Sequence, residues 1–111
     1  MVGKLMELQL LNNLYKLCFL FLLLTLPGCT DPKKVPIYIQ QLRSSNSSER
    51  NKAALELGYI GSPKANSAVP YLIQLLEDDN PGVQSSAAFA LRKIGTPEAN
   101  AALDRKRRFQ R

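Results

Sequence analysis

Apolar and polar positions follow two different patterns along this chain. Leu17 to Leu26 is an uncharged run of ten residues behind a start that carries Lys4, Lys16 and Glu7. A spanning helix needs about 20 predominantly apolar residues to cross about 30 Å of hydrocarbon, so this run is too short. Extending it back to Leu5 adds Glu7, Gln9, Asn12, Asn13 and Lys16, which spoil it. The length suits the apolar centre of an export signal. From Val35 onward the pattern becomes helical. Val69, Leu72, Ile73, Leu75 and Leu76 fall on one face of a helix, and Ala87, Leu91 and Ile94 recur at i, i+4 and i+7.

The second pattern occurs twice. Shifted by 34 residues, Val35–Ala68 aligns without a gap on Val69–Ala102, and 15 of the 34 pairs are identical. Chance would give about 2 or 3 in such a composition, so this is a duplicated supersecondary unit. Each copy predicts a helical hairpin. Pro36 and Pro70 belong in an opening turn, so the first helix of copy two begins near Ala68. Asn80 before Pro81 predicts the cap of the second helix, and Asn46 with Glu49 predicts the same start in copy one as a capping box. Gly61 and Gly95, followed by Pro63 and Pro97, end the second helices. Ala53, Ala54, Ala87 and Ala88 permit close backbone approach, and Leu57, Ile60, Leu91 and Ile94 fill the space between. Such a hairpin cannot bury its stripe alone, so the copies stack. The fold class expected is all-α, a short α-solenoid of two hairpins and part of a third.

The run Val69-Pro70-x-Leu72 … Asp78-Asp79-Asn80-Pro81-x-Val83 … Ala87-x-x-Ala90-Leu91-x-x-Ile94-Gly95 resembles HEAT repeats. More closely it resembles the short HEAT-like repeats of phycobilisome lyases. The resemblance covers Val35 to about Leu103 and implies a solenoid whose second helices line a concave, protein-binding face. Copy one departs at Ser45 and Glu49, where Asp and Val are usual, and copy two has Gln84 where Arg50 keeps the usual Arg. The Asp/Arg ladder between copies is therefore expected to be incomplete and the coupling weak. The inner-face positions expected to touch a partner are Arg50, Glu56, Tyr59, Gln84, Arg92 and Lys93.

Leu26-Pro27-Gly28-Cys29 resembles the lipobox of bacterial lipoproteins, with Pro27 a departure. That likeness implies cleavage after Gly28, a diacylglycerol thioether on Cys29, and a lipid-anchored protein of the bacterial cell envelope. Thr30 in place of Asp points toward the outer membrane. Cys18 then leaves with the signal, and the mature chain keeps no free thiol, which suits an oxidising compartment. The organisation expected is 1–28 signal peptide, 29–34 tether, 35–68 and 69–102 repeats, and 103–111 a truncated third repeat with a basic tail.

Charge separates the tail from the rest. Cys29 to Asp104 carries eight basic and eight acidic residues, so Arg105, Lys106, Arg107, Arg108 and Arg111 supply the whole excess of the mature chain. They read as a solvated terminus or as cations for anionic headgroups. No nucleic acid partner is expected, because export and the lack of interleaved aromatics argue against one. There is no His, which removes imidazole bases and ligands, and no cofactor, metal or small-molecule substrate is expected. Glu77-Asp78-Asp79 lacks the alternating ligands of a calcium loop. The leading function is thus a non-enzymatic, membrane-anchored scaffold with an unknown protein partner on its concave face. The alternatives are a bilin-lyase-like chaperone or subunit, by resemblance, and a truncated repeat remnant without its own role. Metabolic palmitate labelling checks the anchor: Cys29→Ser should abolish incorporation and move the chain out of the membrane fraction.

Overall fold

The computed structural model describes residues 31–111. The segment 1–28 read as a signal peptide, with Gly28, and the expected lipid site Cys29 lie outside the described residues. Five α-helices follow in order: α1 Val35–Gln41, α2 Ser47–Ile60, α3 Val69–Leu75, α4 Pro81–Ile94 and α5 Pro97–Phe109. No strand occurs among the described residues, and no helix among them is long and apolar enough to cross a membrane.

Local chemistry places the boundaries. Pro36 and Pro70 sit in the opening turns of α1 and α3, each entered through a single 3₁₀ turn. Asn80 caps α4 by accepting from the N–H groups of Gly82 (2.8 Å) and Val83 (3.3 Å). Asn46 caps α2 by accepting from the Ser48 N–H at 2.9 Å. The capping box is not the one the sequence predicts. Glu49 accepts from the Ser44 hydroxyl, and that hydroxyl in turn accepts from the Asn46 N–H, so Ser44 stands between the two box residues. Gly61 and Gly95 end the second helices at φ +69° and +67°, where an L side chain is strained.

Copy three differs. α5 runs unbroken from Pro97, with the Thr96 hydroxyl accepting from the Ala99 N–H at 3.2 Å. Asp104 occupies the position of Pro36 and Pro70, and its N–H lets the helix pass through a point where the other copies must begin. Residues 97–102, expected to close the second repeat, are therefore the first turns of the next helix. The basic tail is likewise helical through Phe109, not a loose terminus.

The copies join mainly through their second helices. α2 and α4 form the most extensive contact, whereas α1 and α3 barely touch. The second-helix side is consequently the inner side of the stack. Ala53, Ala54, Ala87 and Ala90 are fully buried and bring the backbones together around Leu57 and Leu91. Each buried leucine contributes about 2 kcal/mol. Ser86 is buried too, and its hydroxyl donates to Asn51 Oδ1 across the interface. Gly58 lies tight against α4. A Cβ there would lie 2.9 Å from Phe89 Cε1 and 3.0 Å from Ala90 Cα. Its counterpart in copy two is the exposed Arg92. Gly58→Arg, which makes the two copies alike at this position, should cost about 3 kcal/mol by forcing the helices apart, read as a lower thermal midpoint. Arg92→Gly should cost only about 1 kcal/mol, from helix propensity.

Candidate protein-binding surface

The six inner-face positions expected from the sequence divide into four groups. Arg50 and Gln84 serve the fold. The Arg50 side chain is only 15% exposed; its Nε and Nη2 donate to the two carboxylate oxygens of Asp78, at 3.0 and 3.1 Å. Nη1 donates to the Ser44 carbonyl at 2.8 Å, so one guanidinium ties its own loop to the loop of the next repeat. Such a fork-to-fork pair is among the stronger polar contacts a protein makes. Gln84 keeps half of this role: its amide donates to the Asp78 carbonyl of its own loop and carries no charge to reach farther. The expected gap in the ladder is thus at Gln84, and the interface between copies one and two has its rung in place.

Burial pushes the Asp78 carboxyl up. The hydrogen bonds from Arg50, the Asn80 N–H and the Arg50 charge outweigh that and hold it below the ordinary carboxylate range. A folded-state pKa that is depressed stabilises above the unfolded value, and the stability disappears as pH falls through the folded value. Asp78→Asn should therefore cost about 2 kcal/mol at neutral pH and remove the part of the acid destabilisation that lies below about pH 4. Urea denaturation at pH 7 and pH 3 measures both.

Arg92 belongs to a different surface. It is exposed on the side of α4 that faces α5, with Nε donating to the Ala88 carbonyl at 3.2 Å. Glu56 is half-buried and raises the pKa of Tyr38 on α1, after the larger effect of that phenol's own burial.

Tyr59 and Lys93 remain, and the structure adds a residue the sequence reading missed. Tyr59 is 63% exposed and meets Phe89 edge to face, with ring centroids 5.6 Å apart. Lys93 Nζ lies 5.7 Å from the Phe89 ring centroid. An exposed tyrosine on a half-buried phenylalanine, with a cation across the phenylalanine ring, is a composition that concentrates binding energy at interfaces. Phe89 stands at the position of Leu55, four residues before Lys93, as Leu55 stands four before Tyr59. That spacing is the signal the sequence offers for it. Gly58 seats the ring and so sets the patch's position.

In the tail, Lys106 is half-buried and its Nζ donates to Glu77 Oε1 at 2.9 Å, so it contributes to the contact between α3 and α5. Arg105, Arg107, Arg108 and Arg111 are exposed. Among the described residues no group of three His, Cys, Asp or Glu side chains could hold a metal ion.

Stacked helical hairpins with their second helices inward define an α-solenoid. The family model for HEAT repeats matches residues 35–105, well over half of the chain. The chain belongs to the HEAT repeat family. Among curated proteins none matches it significantly.

Proposed function

We propose that this chain is a non-enzymatic HEAT-repeat scaffold, tethered to the bacterial cell envelope through a lipid on Cys29, that holds a protein partner on its second-helix face. The patch of exposed Tyr59 and Lys93 on the half-buried Phe89 carries the reading. It lies across α2 and α4, the two helices whose packing is the most extensive in the fold, so a partner meets a rigid surface and loses little to ordering it. The family supports the coarser part, a helical interaction scaffold. The lipobox-like Leu26–Cys29 behind its apolar run supports the tether. The bilin-lyase alternative rests on likeness of the repeats alone.

A photo-crosslinking residue at Tyr59 should give discrete adducts in intact cells, and one at Gln74 on the first-helix side should not. Lys93→Glu and Phe89→Ala should weaken the adduct at 59, each by about tenfold, as expected for central contacts. Adducts at 74 and none at 59 would place the binding surface on the wrong side of the stack.

A further inference from the structure

The inner face has one strip whose exposure does not depend on how many copies the stack has. Leu55 and Tyr59 on α2 correspond to Phe89 and Lys93 on α4, and each pair lies one turn apart on a single helix face. Tyr59 stays 63% exposed although α4 packs beside α2. Lys93 holds the same place in its own copy, so a further helix beyond α4 would leave it open as well. The neighbouring positions behave differently. Glu56 corresponds to the fully buried Ala90, and Arg92 to the buried Gly58, so both belong to the sides along which copies join.

Lys93 is the charge on this strip. α4 carries no carboxylate, and the two on α2 are engaged elsewhere. Glu49 accepts from the Ser44 hydroxyl in the loop before α2. Glu56 is half-buried, and its charge reaches Tyr38 on α1. Among the described residues no carboxylate lies within bridging distance of Lys93, Glu98 at the start of α5 included. An aromatic ring places the ammonium instead. Gly58 leaves room for the Phe89 ring, Tyr59 meets that ring edge to face, and Lys93 Nζ lies 5.7 Å from its centroid. A ring face on one side thins the water shell of an ammonium without neutralising it, which favours a carboxylate on the other side. Beside the cation the strip is apolar: the Tyr59 ring over the half-buried Leu55 and Phe89.

Given that this face is the binding surface, we propose that it recognises an acidic segment of the protein partner, one that sets a carboxylate on Lys93 and an adjacent apolar side chain across Tyr59 and Phe89. The seat for the carboxylate is prepared before binding, because Gly58 and Phe89 hold the ammonium's side of the strip in place.

The test uses the full chain in detergent and a display library of random peptides of about 12 residues. Peptides retained by the wild type and lost on Tyr59→Ala are made with a fluorescein label, and their affinity is read by polarisation. They should carry Asp or Glu close to a leucine or an aromatic residue. Lys93→Glu should weaken them by at least about tenfold, and Lys93→Arg by no more than about twofold. Exchanging the peptide's acid for its amide should cost as much as Lys93→Gln, and both changes together little more than either alone, as for a direct pair. Arg108→Glu, the same change of net charge on α5, should leave the affinity unaltered. Tyr59, Lys93 and Arg108 are all exposed, so the fold tolerates these changes. Tyr59-dependent peptides that are neutral or basic, additive losses in the paired exchange, or an equal loss with Arg108→Glu would overturn the acidic partner and leave the face itself standing. A library that yields no Tyr59-dependent peptide would overturn the face and the acidic partner with it.

Discussion

The contact between the two second helices is the constraint on which the rest depends. Neither hairpin has enough apolar surface to be ordered alone, and the first helices, α1 and α3, lend each other little. The stack therefore rests on α2 lying close against α4. Small residues set the distance: Ala53 and Ala54 from one side, Ala87 and Ala90 from the other, and Gly58 tight against α4. Two polar links then fix the register. Ser86 to Asn51 joins the helices within the interface, and Arg50 to Asp78 joins the loops at its edge. Dispersion and apolar burial supply most of the stabilisation, and the polar links select one alignment of the rods.

The repeat's scaffolding is legible in the sequence because it is chemically overdetermined. Asn46 and Asn80 before the second helices, Gly61 and Gly95 after them, and the prolines in the opening turns each answer a backbone requirement that few other residues meet. Identity between copies marks these same positions. The surface is harder to read for the opposite reason: its useful residues are the ones that differ between copies. Phe89 aligns with Leu55, Arg92 with Gly58, and Gln84 with Arg50. A periodic pattern says which way each points along its own helix but not which neighbour lies there. Arg50 looks like a free cation until the next loop brings Asp78 beside it, and Arg92 looks inward until α5 shows which side of α4 it occupies.

The two sides of the described stack differ in chemistry. The inner side carries an aromatic pair with a single cation nearby. The side formed by α3, α4 and α5 carries arginines beside apolar residues, with Glu77 paired to Lys106. Both are built on helices held by the same interface, so they keep a fixed relation to each other. A surface set on packed helices needs no moving part, which fits the family's use as interaction modules.

Replacing a proline by Asp104 has an effect beyond the turn it abolishes. An unbroken helix spaces its side chains at a constant rise of about 1.5 Å per residue, so the cations from Arg105 to Arg108 are carried on a rod of fixed pitch. Charges on a loose strand could gather around one anion; on the helix consecutive cations point about 100° apart, and Lys106 is turned to Glu77. The rod's carboxyl end also has partial negative character, which Lys106, Arg107 and Arg108 offset. One backbone N–H thus distributes a run of like charges around a helix, where they stay apart from one another.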